Sequence, residues 1–472
     1  MDMLMFQLNK QSASPIYKQL YTAIKQAIID GKISVDTKLP SKRKLAEFLS
    51  ISQTTVELAY GQLVAEGFIE SRPRKGYYAQ AIEELAYLDL PQEEPVIPEK
   101  IDYEFDFNPA QIDTPSFPFS TWRKLAKEVI DESNGEVLLA GHPQGEDRLR
   151  QEIARYLFQS RGVVCQPNQI IIGSGTEQLM PLLIRLLSKT SLFGFENPGY
   201  ALTHSIFSHH DRESLPIPID EDGINVGELE NSPVDVAYVT PSHQFPTGSV
   251  LSAARRAQLL NWAAAKPDRY IIEDDYDSEF RYTSRPIPAL QSMDLSGRVI
   301  YISTFSKSLM PSLRIAYMVL PNTLLHEYNK TFLHYSSSVP RLDQQIVAQF
   351  MKEGHFSRHL NRMRKLYKKK LEKLTETLAL FAPAVKISGK QAGMHIVLTI
   401  ETPFNEKQLI DLAKNAGIRV FGLQSYDVKK SESPSPRIVI GFGGLSEHQI
   451  EEGIHKLMAS WQISESKKQR IH

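Results

Sequence analysis

The sequence predicts a small helical module with a hairpin at the N-terminus, followed by a large α/β domain with a mainly parallel sheet. Three observations predict this. At 472 residues the chain is too long for one core. From about Asp106 onward, short apolar runs alternate with helical patterns, the signature of α/β organisation. Between the two parts the composition changes. Glu83, Glu84, Asp89, Glu93, Glu94, Glu99 and Asp102 stand against Lys100 alone, with Pro91, Pro95 and Pro98 between them. That reads as a stiff, acidic, extended linker. The expected layout is residues 1–80, a linker over 81–104, and a large domain over 105–463 with a small C-terminal subdomain from about 370.

Composition narrows the class. Net charge is −1, so global charge says nothing about partners. Cys165 is the single cysteine, which excludes an intrachain disulfide and fits a reducing compartment. No apolar run approaches the ~20 residues of a membrane span, and residues 1–10 lack the layout of a signal peptide. A cytoplasmic location with no membrane partner and no metal is expected.

In the first eighty residues, Ser14 is expected to cap a helix and Pro15 to fill its first turn. Ile16, Leu20, Ile24 and Ile28 form one apolar stripe, and Gly31 stops it. Ser41 caps a second helix with Leu45, Ala46 and Leu49 inward. Ser52 caps a third, with Val56, Ala59, Tyr60 and Leu63 inward, and Gly67 ends it. Two short strands follow, 68–70 and 77–79, joined by a basic turn. Helix, tight turn, helix and basic hairpin make a winged helix-turn-helix layout. Residues 1–80 carry eleven Lys and Arg against seven Asp and Glu, although the whole chain is near neutral. The excess sits at Lys42, Arg43 and Lys44, and around Arg74, Lys75 and Gly76, which would flank a phosphate backbone. Ser52, Gln53, Thr54 and Thr55 lead the third helix, where side chains reach base edges. Double-stranded DNA is the expected partner.

In the large domain, strands are expected at 170–172, 234–239, 270–272 and 299–302. Functional residues belong at the carboxyl ends of such strands. After the last of these comes Thr304, Ser306, Lys307 and, seven residues on, Arg314. Lysine forms a Schiff base with an aldehyde once burial frees its amine. Hydroxyls and an arginine suit a phosphate. An aldehyde and a phosphate on one small ligand point to pyridoxal 5′-phosphate. After 170–172 comes Gly173 to Gln178, a glycine-rich turn opening a helix, where Gly175, Thr176 and Glu177 can cradle an anion. After 270–272 comes Glu273 to Asp277. Asp274 and Tyr276 face one side of an extended segment, where Asp274 can pair with a pyridine nitrogen and Tyr276 with the ring hydroxyl. Asp275 is the second choice for the nitrogen. Tyr200 supplies a ring that can stack on the cofactor.

Two resemblances follow from these residues. Residues 39–47, 52–56 and 63–67 resemble the GntR family of bacterial regulators, although Gln53 and Glu57 stand where members often have arginine. The Lys307 segment resembles that of fold-type I aminotransferases. Residues 242–248 resemble the Asn-Pro-Thr-Gly loop of the same enzymes, with Phe245 in place of the asparagine that bonds the ring hydroxyl. Together with the phrases at 240–246, 272–280 and 304–309, the whole chain resembles the MocR/GabR-type regulators. That resemblance implies an aminotransferase-like, pyridoxal-phosphate-binding domain fused to a DNA-binding domain, in a head-to-tail homodimer.

The same resemblance bears on what is sensed. In the GABA-responsive type, two arginines hold the amino-acid carboxylate. Here those positions read Leu202 and Gly444, with Arg437 nearby as a replacement. Losing a buried arginine from such a site removes roughly 2–5 kcal/mol. The resulting expectation is a regulator in which pyridoxal phosphate is itself the signal, similar to the PdxR branch, which controls synthesis of that cofactor. The alternatives are a sensor of a GABA-like amino acid and an active aminotransferase. The expected role is not that of an enzyme, with a residual transamination half-reaction left open.

Overall fold

In the computed structural model the described residues are 8–9, 14–81, 102–282, 287–332, 334–430 and 435–466. They fall in two compact units, one within residues 1–99 and one within 100–472. Most of the acidic linker expected over 81–104 lies outside the described residues.

The first unit contains α1 (Ile16–Ile29), α2 (Lys42–Leu49), α3 (Gln53–Ala65), β1 (Ile69–Arg72) and β2 (Gly76–Ala79). The stripe Leu20, Ile24 and Ile28 packs with Val56, Ala59, Tyr60 and Leu63 in one core. Ser41 and Ser52 cap α2 and α3, accepting from Lys44 N at 3.3 Å and Thr55 N at 3.1 Å. Ser14 does not cap α1. Pro15 takes the cap position in an extended conformation, which sets Ser14 one residue too far, and no side chain bonds the first turn. The carbonyl of Ser14 instead accepts from Gln19 Nε2 at 2.6 Å. β1 and β2 pair antiparallel from Ile69↔Ala79 to Arg72↔Gly76. Residues 37–39 run alongside through one antiparallel bridge, Lys38↔Tyr78, with Leu39 N bonded to Tyr77 O at 2.8 Å and Ala79 N to Thr37 O at 3.0 Å. This completes a wing.

The second unit begins with β3 (Phe105–Asp106). Its large sheet is built from β4 (Ile170–Gly173), β5 (Phe193–Asn197), β6 (Ser214–Asp220), β7 (Gly223–Ile224), β8 (Val236–Val239), β9 (Tyr270–Asp275), β10 (Val299–Thr304) and β11 (Ala316–Val319). The order is β4-β11-β10-β9-β8-β5-β6-β7. From β10 to β6 all neighbours are parallel, and β11 is antiparallel to both its neighbours. Parallel strands buried on both faces read as unbroken apolar runs, and β8 and β9 are buried along their whole length, as is the edge strand β4.

A second sheet, β12 (Val385–Ser388), β13 (His395–Ile400), β15 (Phe421–Gly422) and β16 (Arg437–Gly441), is antiparallel in the order β12-β13-β16-β15. The 25-residue helix His355–Ala379 and the helix Glu447–Ser460 share a core with it. That core also takes in Phe105, Phe107 and Ile112 from the beginning of the unit. β3 pairs in parallel with β14 (Ile418–Arg419), so the first strand of this unit is stitched to its last third.

Leu63 is fully buried between the helices of the first unit. Leu63→Ala is expected to cost about 2–5 kcal/mol there. A urea titration should show the first unit melting earlier, while the transition of the second stays in place.

Candidate functional site

The carboxyl ends of the parallel strands converge on one cavity of ≈ 360 Å³. Gly175, Thr176 and Glu177 arrive from the turn after β4, and Tyr200 from the turn after β5. Asp274 and Tyr276 arrive from β9, and Thr304, Ser306 and Lys307 from β10. Arg314 follows on the loop before β11. All ten residues singled out in the sequence for a cofactor line this cavity. Such convergence follows from topology, because side-by-side parallel strands place all their carboxyl ends along one edge.

Lys307 and Asp274 carry the central electrostatics. The Lys307 amine donates to the carbonyl of Pro109. Burial pulls its pKa from the usual lysine value down to about 8, against the opposing charge of Asp277. Asp274 is only 6% exposed. Among the described residues the hydroxyl of Tyr238 donates to its Oδ2. Burial pushes the carboxyl up to about 7, offset in part by that hydrogen bond and reinforced by the charges of Asp275, Asp277 and Glu177. A buried carboxyl with one neutral donor is poised for a cationic N–H.

Strand alternation decides between the two aspartates. Asp274 faces the cavity. Asp275, the second choice in the sequence, points to the other side of the sheet and does not line the cavity. There it accepts from Arg161 Nε at 2.8 Å and Tyr301 Oη at 2.6 Å. It is a structural ion pair, and the expectation of a ligand role for Asp275 is set aside.

The other end of the cavity is built for an anion. Gly175 sits at φ +143°, and a Cβ there would come within 2.3 Å of Arg314 Nη2 and 2.4 Å of Glu177 Oε2. The positive φ is a backbone conformation that favours glycine. Gly175 leads into the helix Thr176–Leu186, whose first amides lack intrahelical partners. The hydroxyls of Thr304 and Ser306 lie 2.9 Å apart. Arg314 pairs with Glu177 at 2.9 Å, both side chains about half exposed. The carboxylate of Glu177 therefore faces Arg314, and any contact it gives a phosphate comes from its backbone. An amine with a lowered pKa, a lone buried carboxyl and a phosphate-sized cradle fit pyridoxal phosphate.

Other lining residues lie beyond the reach of local sequence signals. Asn108, Pro109 and Ala110 come from the start of the unit, His395 from the first position of β13 with Met394 just before it, and Tyr426 from the short helical turn after β15. Phe245 meets Tyr200, Tyr426 and Tyr276 edge-on at ring separations of 5.9, 5.0 and 6.1 Å, so the wall is aromatic. Tyr238 was legible in principle. It lies two residues before Thr240 on β8, and its neighbour across the sheet is Ile272, two residues before Asp274. His243, Asp277 and His395, all buried, each bring one potential ligand atom within 4.8 Å of the others.

Positions 202, 437 and 444 supply no carboxylate anchor to the cavity. Leu202 packs against an apolar core. Gly444 is exposed and has no side chain to offer, and the amide end of Gln111 lies beside it. Arg437 opens β16 opposite Thr399 and bonds and faces Glu406, outside the cavity lining. Among the described residues, the cavity lining contains one arginine, Arg314.

In the first unit, Arg43, Lys44, Gln53, Thr54, Arg74 and Lys75 are exposed. Lys42 pairs with Glu57, and Arg43 with Glu47 at 3.2 Å. The hydroxyls of Ser52 and Thr55 bond each other at 2.7 Å within the cap. Gln53 and Thr54 are therefore the freer side chains at the tip of α3. Arg74 and Gly76 adopt φ +63° and +109° at the wing turn.

Comparison with known proteins agrees with both units. Residues 16–78 match the family of bacterial regulatory proteins of the gntR type, and residues 108–457 match aminotransferase class I and II. The chain is 43% identical to the HTH-type transcriptional regulator YdeL of Bacillus subtilis over 468 residues, covering 98% of this chain and all of that one. It is 31% identical to the probable rhizopine catabolism regulatory protein MocR of Rhizobium meliloti, covering 98% and 97%. It is 29% identical to the pyridoxine biosynthesis regulator PdxR of Corynebacterium glutamicum, covering 94% and 95%. Among solved structures, an archaeal alanine:glyoxylate aminotransferase superposes with a TM-score of 0.70 at 25% identity, covering 77% and 91%. A Pyrococcus horikoshii kynurenine aminotransferase in complex with PMP superposes with 0.67 at 26%, covering 76% and 91%.

The neutral form of the Lys307 amine is its nucleophilic form. Below its pKa the amine is protonated and inert, and above it the amine is free. On adding pyridoxal phosphate, the rate at which visible absorbance grows should rise with pH and level off above about 8. A rate still climbing near pH 10 would mark an ordinary exposed lysine.

Proposed function

Because the chain belongs to the MocR-type transcriptional regulators, with a GntR-family DNA-binding domain joined to an aminotransferase class I and II domain, we propose that it binds pyridoxal 5′-phosphate at Lys307 and reports that binding to DNA, as a sensor and not as an enzyme. When bound, pyridoxal phosphate supplies an aldehyde that joins a lysine nitrogen with loss of water, and a phosphate that needs a fixed anion site. Lys307 is the amine. Asp274 holds the ring N–H, Tyr276 donates to the ring oxygen, and Tyr200 covers a ring face. Amides at Gly175 to Glu177, the hydroxyls of Thr176, Thr304 and Ser306, and Arg314 hold the phosphate.

The observation that carries the sensor reading is that, among the described residues, the cavity lining has one arginine, at the end built for an anion. An amino-acid carboxylate entering beside Lys307 meets Met394, Phe245, Tyr426 and a His395 kept neutral by burial. Similarity to the pyridoxine biosynthesis regulator PdxR supports genes of cofactor synthesis as targets. The reading includes a head-to-tail homodimer. Exposed apolar side chains support it, with Ile130, Leu138 and Leu139 at 64, 83 and 66%.

The same amine offers a route for the signal. Lys307 holds the carbonyl of Pro109, on the segment that directly follows the linker. An amine engaged elsewhere gives up that bond, so ligand capture and release of the segment become one event.

Two measurements test the reading. In the first, Lys307→Ala should lose the visible absorbance of the cofactor, and DNA binding to promoters of cofactor-synthesis genes should cease to respond to pyridoxal phosphate. Multiple turnovers of an amino donor with a keto acid on the native protein would sink the sensor reading in favour of an aminotransferase. In the second, Arg43→Ala should weaken DNA binding on the order of tenfold and reduce the salt slope by about 1, whereas unchanged affinity would remove Arg43 from the interface.

A further inference from the structure

The helix His355–Ala379 departs from the charge balance of the chain. It carries eight Lys and Arg against two Glu, whereas the whole sequence has 54 against 55. Packing accounts for three of the eight. Lys370 is buried against Asp113 and the Gly443 carbonyl, Lys373 pairs with Glu451 at 3.2 Å, and Arg364 Nε donates to the carbonyl of Glu279 at 3.0 Å. Arg358, Arg362, Lys365 and Lys369 are exposed. They recur at i, i+4, i+7 and i+11. At 3.6 residues per turn that puts all four within about 60° of one face, along about 17 Å of the helix.

The second unit does not balance this row. Arg358 Nη2 donates to the Glu353 carbonyl at 3.0 Å and lies 2.9 Å from His355 Nδ1. Arg362 Nη2 donates to the Ser116 carbonyl. Both guanidinium groups are thereby held in place with donors to spare. Among the described residues, Lys365 and Lys369 enter no hydrogen bond or ion pair. The acids at the two ends of the row are taken, Glu353 by His355 at 3.1 Å and Glu372 by Lys368 at 3.8 Å. Like charges at i, i+4 repel, and a cation near a helix N-terminus opposes the dipole. The row therefore weakens the helix that bears it.

We propose that this row is a second DNA-contacting surface, which holds the phosphate backbone of the duplex that the first unit binds. The inference rests on the reading of the first unit as DNA-binding. A regular line of cations is matched by a regular line of anions, and duplex DNA presents one charge per about 1.7 Å of axis. Once the first unit holds a duplex, the chain joining the units keeps that duplex at high effective concentration around the second, so contacts too weak to form alone add to affinity. Such contacts fix position and read no sequence.

The test is fluorescence anisotropy of the full chain on a mixed-sequence duplex of about 60 base pairs, between about 50 and 200 mM salt. Lys365→Gln/Lys369→Gln should reduce the salt slope by about 2 and weaken binding roughly tenfold. Lys365→Arg/Lys369→Arg, which keeps both charges, should bind as the native chain does. Without DNA, the double glutamine variant should melt no lower than the native protein, since it loses repulsion and no contact. Unchanged slope and affinity in that variant overturn the proposal, even if it loses affinity for phosphatidylserine vesicles, which would assign the row to a lipid surface. Equal loss in the double arginine variant, or a lower melting temperature, marks a structural role and also overturns it. If Arg43→Ala lowers the slope while the double glutamine variant does not, the second surface alone fails. A native chain that binds no duplex defeats the reading of the first unit as well.

Discussion

The second unit depends on keeping three consecutive buried acids from repelling one another. Glu273, Asp274 and Asp275 sit side by side on a central strand, none more than 6% exposed. Alternation splits them between two faces. Glu273 accepts the amides of Leu290 and Gln291 at 2.8 Å each, and burial still pushes it up to about 7. Asp275 has Arg161, itself 3% exposed and further bonded to Ser242 and the carbonyl of Ile287. Two of the three are neutralised by the fold. Asp274 alone is given a single hydroxyl and left facing an open cavity. A fold tolerates an under-compensated carboxyl where a ligand completes it.

The beginning of the unit is held with equal care. Asp113 forms a buried ion pair with Lys370 at 2.7 Å, and Lys370 also bonds the carbonyl of Gly443 at 2.8 Å. Tyr367 Oη bonds the Asp113 amide at 3.0 Å. Phe105 and Phe107 are anchored in the C-terminal core. Pro109 therefore sits between two fixed points, and the Lys307 amine is the contact to it that ligand chemistry can alter. A short span held at both ends has few alternative arrangements, which is what a two-state relay requires.

How much of this was legible depends on how far each signal reaches along the chain. The ten cavity residues sit within a few positions of strand ends, and strand ends are marked by local apolar runs, so topology converts local signals into a common site. The same logic separated Asp274 from Asp275 once alternation was applied. Ser14 was misread because proline at the next position occupies the cap itself. Asn108, Pro109, His395 and Tyr426 reach the cavity only through the packing of the second sheet on the first, and no local periodicity encodes that. Lys42 was legible as basic but not as the partner of Glu57, since their contact depends on the angle between two helices.

Selectivity follows from how charge is distributed along the cavity. The phosphate end has a guanidinium, hydroxyls and a helix N-terminus. The ring has a carboxyl, a phenol and aromatic walls. Beyond Lys307 the lining turns to Met394, a neutral His395, Phe245 and Tyr426. A carboxylate placed there would be desolvated with no cation to meet it, and an unpaired buried charge costs several kcal/mol. On the proposed reading, pyridoxal phosphate finds a partner for each of its polar groups, and a cavity lined in this way among the described residues is better suited to registering the cofactor than to transforming an amino acid.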